Sequence, residues 1–372
     1  MKFIHTADLH LGKKLSEFSL LEDQRYFLFD VLLKEAKGHS VDAILLSGDI
    51  YDTTVPGQSA MLLLNEFLTS AVESHIKVLL IPGNHDSAEK LSFLSTLVRK
   101  DGLYLVTTLK EAERPIKING VNFYCLPFLK HFDVNHEYGV ETKTYEEAVC
   151  FMISKMNVDV SKSNVILAHQ TVFPVNGELI RSESEEPSAG SVPNVASQVF
   201  KDFDYVALGH IHKPQKVGRV AYYAGSPLKY HVDEASSEKF INLVSIKDKV
   251  TEVERIHIVP RRDVKLIEGR WENLLSMKKS EDYVYLLLDE ENRIDNAMEK
   301  ARATFPNCCA IAYKENSHEL TEEEVELPDG FDKADPSKEL ASFFYLVTGE
   351  ELTEYQKGII AKTFEELKGE KQ

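Results

Sequence analysis

Five short clusters of carboxylate, amide and imidazole side chains lie in the first two-thirds of the chain, and each follows a short apolar run. Such a mixed set of oxygen and nitrogen donors suits Mn, Fe or Zn rather than soft-metal thiolate chemistry. The D-x-H and H-x-H spacings place alternate side chains on the same side of an extended segment. One such cluster alone is weak evidence, but five in order predict a pair of metal ions. The clusters are Asp8-Leu9-His10, Gly48-Asp49-Ile50-Tyr51-Asp52, Gly83-Asn84-His85-Asp86, His169 and Gly209-His210-Ile211-His212.

The apolar runs before these clusters are rich in Val, Ile, Leu and Tyr, which is typical of strands buried on both faces. Helical stretches separate them, so the predicted fold class is α/β, a layered sheet with helices on its faces. Ligands of open α/β sheets bind at the carboxyl ends of strands, so we expect the five clusters to converge. The predicted strands are Lys2–Thr6, Val41–Ser47, Ile76–Ile81, Val121–Leu126, Asn164–Ala168, Tyr205–Leu208, Val220–Ala224 and Phe240–Ser245. The predicted helices are Glu22–Lys37, Ser59–Ser74, Ala88–Arg99 and Tyr145–Met156.

The composition is that of a globular protein, with 372 residues of which 43% are hydrophobic and 28% charged. This length suggests two or three domains and the composition excludes a wholly disordered chain. No apolar run reaches the roughly 18–20 residues of a membrane span, and an acidic residue follows the N-terminus too early for a signal peptide. The four cysteines form no CxxC pair, so neither a disulfide framework nor a thiolate zinc site is predicted. We therefore expect a reduced, cytoplasmic protein.

The net charge of −17 argues against passive binding of nucleic acid, which depends on neutralisation of phosphates by Lys and Arg. The acidity is uneven, because residues 319–354 hold 12 acidic residues and two lysines, a net charge of −10. The other residues carry only −7 and have room for a basic track. The acidic stretch is either a solvated segment or one that contacts a partner.

The composition changes near Pro260. Beyond it, three strand-like runs and a helical run over Arg293–Thr304 form a compact β-α-β unit of the size of a small second domain. An acidic linker with Pro and Gly follows, and then two amphipathic helical patterns separated by Gly349. The three runs are Val264–Ile267, Tyr283–Leu288 and Ala310–Tyr313. The predicted boundaries are 1–260, 261–318, 319–336 and 337–372.

The ordered clusters resemble the signature of the calcineurin-like metallophosphoesterases: D-x-H, G-D-x-x-D, G-N-H-D, H and G-H-x-H. Four further stretches resemble one branch of that family, the bacterial nuclease subunits related to the double-strand-break repair nucleases of archaea and eukaryotes. The resemblance spans the chain and implies a layered β-sandwich flanked by helices, a small α+β capping domain that binds DNA, and C-terminal helices. The stretches are Thr6–Gly12, Ser182–Glu185, Ala207–Gln215 and Gly225–Leu228.

The resemblance also implies roles for single residues. One ion would be held by Asp8, His10, Asp49 and His212, and the second by Asp49, Asn84, His169 and His210. A water or hydroxide activated by two Mn²⁺ would be the nucleophile. His85 would be the catalytic acid for the leaving oxygen, and Asp52 would orient its imidazole with a carboxylate. Archaeal relatives tend to carry His at the position of Asp52.

The implied activity is that of a Mn²⁺-dependent DNA nuclease. It would degrade duplex ends from 3′ to 5′, cut single strands, open hairpins, and work in DNA repair, replication and recombination with a large coiled-coil ATPase. The coiled coil of that ATPase would bind residues 337–372, in a heterotetramer containing two copies of this chain, associated with the nucleoid. The alternatives are a phosphatase or cyclic-nucleotide phosphodiesterase of the same fold, or a scaffold that has lost catalysis.

Contacts with DNA and with a second copy are also predicted. Four cations just after the clusters or beside them, Lys13, Lys14, Arg181 and Lys213, would reach phosphates, although each would serve equally well as a solvated surface residue. The helices Glu22–Lys37 and Ser59–Ser74 are apolar around more than one face. A central position between layers would explain this. A homodimer interface, with Leu64 and Leu68 in it, is the explanation that we favour.

Overall fold

The computed structural model describes residues 1–92, 102–174, 179–185, 194–290 and 292–314, together with Thr353 and Lys357. The chain divides into a unit Met1–Leu320 and a unit Thr321–Gln372, and the fold below is that of the first. The predicted linker at 319–336, nearly all of the predicted C-terminal helical segment and the end of the helix predicted over Ala88–Arg99 lie outside the described residues. Within those residues, no helix is long and apolar enough to cross a bilayer.

The first sheet has six strands, and its inner part is parallel. The strand at residues 2–6 runs parallel to that at 43–47, which runs parallel to that at 77–81. The strand at 240–247 is antiparallel to both of its neighbours. In spatial order the strands are Val250–His257, Phe240–Lys247, Lys2–Thr6, Ala43–Ser47, Lys77–Ile81 and Leu103–Leu105.

The second sheet also has six strands, with four parallel strands between two short antiparallel edge strands. Its register places Gly209 opposite His169, while Ser47 lies opposite Ile81 in the first sheet. Neighbouring strands therefore end level with one another, at the edge where the polar clusters begin. In spatial order the strands are Gln215–Val217, Ala221–Tyr223, Tyr205–Gly209, Ser163–His169, Val121–Leu126 and Ile116–Ile118.

The two sheets pack face to face around a shared core. The ring of Phe3 in the first sheet meets the edges of Phe123 and Tyr205 in the second, with centroids 5.6 Å apart in each pair. Apolar side chains on the other face of the first sheet form a second core under helices. This is the layered α/β sandwich that the sequence predicts. The helices outside the sheets are Leu21–Gly38, whose middle segment Phe27–Leu33 is a π-helix, then Gln58–Glu73, Ala88–Ser92, Leu109–Ala112, His131–Tyr138 and Tyr145–Lys155.

The two doubly apolar helices pack against each other, which corrects the placement of Leu64. The rings of Phe29 and Phe67 meet edge to face at 6.2 Å. Leu64 is only 4% exposed and belongs to the core beneath these helices. A buried leucine offers no surface to a second copy, so its assignment to an interface was wrong. Leu68 is half-buried against the same core, and the exposed apolar residues of this helix are Met61 and Leu62.

A third sheet contains the elements predicted beyond Pro260. Its three strands, Val264–Gly269, Tyr283–Leu288 and Cys308–Tyr313, are all parallel. Helices Trp271–Leu275 and Ala297–Thr304 connect them. This unit is anchored to the start of the first long helix, because the Tyr283 hydroxyl donates to Asp23 at 2.8 Å and Arg262 forms an ion pair with the same carboxylate at 2.6 Å.

Candidate metal centre

The ends of the strands are tied together by backbone hydrogen bonds between two of the clusters. The amide of Asp8 donates to Gly48 at 3.1 Å and the amide of His10 donates to Asp49 at 3.0 Å. Asp8, His10, Asp49 and His210 all have left-handed backbone angles, with φ of 53°, 42°, 47° and 95°. This conformation is uncommon for residues other than glycine and concentrates at functional sites. The chain thus uses strained turns to aim these side chains.

One potential metal-binding group consists of Asp8, His10 and His212, whose donor atoms all lie within 4.8 Å of one another. The Nε2 atoms of the two imidazoles are 3.2 Å apart. Asp8 Oδ2 is buried and has no hydrogen-bond partner. Burial lowers the pKa of His212, and the neighbouring His10 lowers it further, so the ring is neutral and retains a lone pair. An unpaired carboxylate oxygen beside two imidazole nitrogens fits a divalent cation.

A second group consists of Asp49, His169 and His210, and it also fits within 4.8 Å. The amide oxygen of Asn84 completes it, at 3.1 Å from His169 Nε2 and 3.1 Å from His210 Nδ1. Asp49 Oδ2 lies 3.3 Å from His169 Nε2 and 3.6 Å from His10 Nε2. The same carboxylate oxygen therefore faces both groups, as a bridging ligand would.

The electrostatics of the centre follow from burial and from the pairing of charges. Burial alone would raise the pKa of Asp49, but the His169, His10 and His85 rings hold it well below its usual range. Burial alone would lower the pKa of His169, but the Asp49 carboxylate raises it to about 9. Burial raises the pKa of Asp8 and lowers that of His210 to about 3. Carboxylates that are buried this close together are stable only when their negative charge is balanced, and bound cations can balance it.

His85 lies beside the first group, and its ring meets that of His10 at 4.8 Å between centroids. Its amide donates to Asp49 Oδ1 at 3.0 Å. Its Nδ1 is 2.9 Å from the backbone carbonyl of Asp52. Donor atoms of His85, His10 and the Asp52 carboxylate also lie within 4.8 Å of one another, so the orientation of the imidazole by this carboxylate stays a prediction. The Asp52 carboxylate pairs with Lys13 at 3.0 Å and lies 3.5 Å from His10 Nδ1.

Close packing around the ligands requires glycine at several cluster positions, of which Gly83 and Gly209 are two. A Cβ atom added to Gly83 would lie 2.1 Å from Asp49 Oδ1 and 2.4 Å from its backbone nitrogen. A Cβ atom added to Gly209 would lie 1.9 Å from the carbonyl oxygen of Ser47. Contacts this short do not occur between real atoms, so any side chain here would displace the ligands.

Several positioning residues were missed by sequence reasoning. Asp86 was visible in the third cluster but had no role; its carboxylate accepts from the amides of Ile50, Tyr51 and Gly83 at 2.9–3.0 Å and ties two clusters together. Gln24 donates to the carbonyl of His10 at 2.7 Å. His212 is surrounded by Ser184, Glu234 and Lys239. No sequence motif points to Glu234 or Lys239.

The four predicted DNA-contacting cations have different surroundings. Lys14 and Arg181 are exposed, and the Arg181 guanidinium lies over the Phe173 ring. Lys13 and Lys213 are half-buried and form ion pairs with Asp52 and Asp233 at 3.0 and 3.3 Å. The paired lysines neutralise acids near the centre, whereas Lys14 and Arg181 are exposed, and the contacts of all four with DNA stay predictions.

With the fold and the centre described, comparison with known proteins defines the class. The model of the calcineurin-like phosphoesterase family matches residues 1–214, which include all five clusters. The chain belongs to the calcineurin-like phosphoesterases.

A curated relative identifies the branch. The SbcD subunit of the nuclease SbcCD of Staphylococcus saprophyticus is 33% identical to the chain over 374 residues, which cover 97% of each protein. This confirms the resemblance seen in the sequence motifs and extends it past the phosphoesterase region.

Two solved structures are more distant. The protein TT1561 of Thermus thermophilus is 13% identical, with a TM-score of 0.41, and the match covers 68% of this chain and 98% of that one. A dimetal phosphatase from Danio rerio is 12% identical, with a TM-score of 0.36, and the match covers 70% and 98%. Scores this low carry no argument, so the assignment rests on the family model and the curated relative.

Proposed function

We propose that the chain is the metal-dependent nuclease subunit of an SbcCD-type complex and hydrolyses phosphodiester bonds of DNA at a dinuclear Mn²⁺ centre. The observation that carries this proposal is the position of Asp49 Oδ2, 3.3 Å from His169 and 3.6 Å from His10 and so between two groups of donors. The full-length similarity to a nuclease subunit supports the choice of substrate.

Seven side chains would hold the ions. Asp8, His10, Asp49 and His212 would hold one, and Asp49, Asn84, His169 and His210 would hold the other. When bound, two divalent ions supply an activated water nucleophile and neutralise charge on the phosphate. The observed donor set, carboxylate, amide and imidazole without thiolate, suits Mn²⁺, with other divalent ions as alternatives.

His85 would deliver the proton to the leaving oxygen. The carbonyl of Asp52 can only accept a hydrogen bond, so Nδ1 of His85 carries a hydrogen and Nε2 is the atom that exchanges a proton. The contact of the His85 amide with Asp49 holds the ring beside the proposed ions. General acid catalysis of this kind contributes about 10²–10⁴-fold to a rate.

Duplex DNA ends, hairpins and single strands are the proposed substrates, and the activity on duplex ends runs from 3′ to 5′ with stimulation by ATP. SbcC, the ATPase subunit, is the proposed partner. Its docking site would be the apolar helical patterns in the sequence of residues 337–372, while residues 261–318 cap the centre and contact DNA. Lys14 and Arg181 are the proposed phosphate contacts because they are exposed.

A homodimer within a heterotetramer is also proposed, with the exposed Met61 and Leu62 in its interface. These side chains are 50% and 60% exposed on one helix. Exposed apolar surface is unfavourable in water, and contact with a second copy would bury it. The proposed location is the cytoplasm, in association with the nucleoid.

A phosphatase or cyclic-nucleotide phosphodiesterase is the alternative function, and a silent scaffold of the same fold is another. The test is hydrolysis by the purified full chain of end-labelled duplex DNA, plasmid DNA, a phosphomonoester and a cyclic nucleotide, each with Mn²⁺ and with EDTA. We expect Mn²⁺-dependent cleavage of DNA alone. Preference for a small substrate would select the alternative enzyme, and no hydrolysis of any substrate would select the scaffold.

A further inference from the structure

We propose that Ser184 is a positioning residue that sets the tautomer and orientation of His212 through a hydrogen-bonded relay to Glu234 and Lys239. The proposal depends on the proposed metal site, because it describes how one of the suggested ligands is prepared for its ion. Ser184 lies 28 residues before His212 in the chain, in the Ser182–Glu185 stretch.

The direction of each hydrogen bond in the relay follows from its most deeply buried end. Glu234 is fully buried and forms an ion pair with Lys239, which is 5% exposed. Glu234 Oε2 accepts from Lys239 Nζ, and Glu234 Oε1 accepts from the amide of Tyr230 at 3.3 Å, so both carboxylate oxygens act as acceptors. Ser184 Oγ donates its single hydrogen to Glu234 Oε1 at 2.7 Å. The hydroxyl of Ser182 lies 3.0 Å from Ser184 Oγ and donates to Asp233 at 2.9 Å.

The serine oxygen is then an acceptor for the ring of His212. Ser184 Oγ is 2.7 Å from His212 Nδ1, so Nδ1 carries the hydrogen. The other ring nitrogen, Nε2, keeps its lone pair and points towards His10 Nε2 at 3.2 Å, inside the first donor group. This is the tautomer that a ligand through Nε2 requires.

The backbone of His212 is held by one member of the relay and by the neighbour of Ser184. Its carbonyl accepts from Lys239 Nζ at 3.0 Å, and its amide donates to Glu185 Oε1 at 2.9 Å. The relay therefore fixes the ring and the carbonyl of His212, and Glu185 fixes its amide.

The corresponding contact of His169 is different in kind. Its Nδ1 lies 2.8 Å from the backbone carbonyl of Ser47, which no substitution removes. Ser184 can be removed, so its substitution should weaken the site of His10 and His212 and leave that of His169 and His210 intact. Loss of such a contact typically lowers metal affinity about 10–100-fold.

The test compares Mn²⁺ binding by wild type, Ser184→Ala, Ser184→Thr and Glu183→Gln, using calorimetry together with electron paramagnetic resonance. We expect Ser184→Ala to retain one tight site, to bind the second ion about 10–100-fold more weakly, and to lose the spin-coupled signal at low Mn²⁺. Ser184→Thr keeps the hydroxyl and should restore both. Glu183→Gln changes an adjacent side chain that is 61% exposed and lies 3.7 Å from His231, outside the relay, and it should behave as wild type.

Two tight sites in Ser184→Ala would overturn the relay. An equal loss in Glu183→Gln would also overturn it, because it would indicate that the segment as a whole holds the site. A second measurement does not depend on whether a Ser184 variant folds. It records the nitrogen-15 chemical shifts of the His212 ring in metal-free wild type, and the signals are assigned by their loss in His212→Gln. Protonation at Nδ1 supports the relay, whereas protonation at Nε2 overturns it. Wild type that binds no Mn²⁺ would refute the proposed function instead, and the ring shifts would still decide the relay.

Discussion

The Nδ1 atom of His85 lies 2.9 Å from the backbone carbonyl oxygen of Asp52, while the carboxylate of Asp52 pairs with Lys13 at 3.0 Å. The contact that fixes the imidazole therefore persists whatever side chain occupies position 52. This separation lets the role of the ring be tested apart from the charge beside it.

His85→Ala should bind two Mn²⁺ as wild type does and lose about 10²–10⁴-fold in the rate of DNA hydrolysis. The ring supplies a proton in our account, whereas the ligand of the neighbouring residue is the Asn84 amide. Metal content by mass spectrometry and single-turnover rates on labelled DNA measure the two effects separately. A collapse of metal content would make His85 a ligand.

Asp52→Asn is the matched control for that variant. Ion pairs with access to solvent contribute about 0.2–1 kcal/mol, so the rate should fall less than about tenfold. A loss as large as that of His85→Ala would mean that the carboxylate, after all, acts on the imidazole.

Asp49→Asn should weaken both ion sites, and Asp8→Asn only one. Asp49 Oδ2 faces His10 and His169, whereas the unpaired Oδ2 of Asp8 belongs to a single donor group. Calorimetric titration gives the number of sites, and equal losses in the two variants would exclude bridging.

Saturating Mn²⁺ should also raise the melting temperature of wild type relative to EDTA, because an ion at 100 times its Kd stabilises the fold by about 2.7 kcal/mol.

Gly83→Ala should lose Mn²⁺ and be less stable than wild type, because its Cβ would collide with Asp49. Overpacking of this kind costs about 1–3 kcal/mol. Gly57→Ala is the control, since nothing lies within 4 Å of the added Cβ there. Thermal unfolding measures the stability of both variants. A Gly83→Ala protein with full metal content would show that the loop moves to make room for the methyl group.

Leu62→Lys should give a folded monomer with an intact centre, whereas Leu64→Lys should not fold. Leu62 is 60% exposed and Leu64 only 4%, so the second substitution places a charge in the core. Light scattering and circular dichroism distinguish these outcomes. A wild type that is monomeric at all concentrations would refute the proposed dimer.

Much of the sandwich and the convergence of the clusters could be predicted from the sequence, because local patterns carry both. The strands Lys2–Thr6 and Val121–Leu126 have the predicted bounds, since every residue of both except Lys2 is buried. The strand Val250–His257 was missed because it is largely exposed at a sheet edge and lacks an apolar run. The strand Leu103–Leu105 is too short to give a pattern.

The features that the sequence analysis did not predict have a common cause, which is that contacts between distant parts of the chain leave no local pattern. The apolar second face of the helix bearing Leu64 is explained by Phe29 across from Phe67, a pairing of two helices that periodicity cannot reveal. The position of the Asp52 carboxylate depends on Lys13, 39 residues away. Ser184 and Glu234 meet across 50 residues, and only folding brings them to His212.

The most direct test of the dinuclear centre is a crystal structure of the Mn²⁺-soaked protein with anomalous scattering recorded at the manganese edge. Our account predicts two peaks about 3.5–4 Å apart. One should contact Asp8, His10 and His212, the other Asn84, His169 and His210, with Asp49 bound to both. A single peak, or peaks away from these side chains, would contradict it.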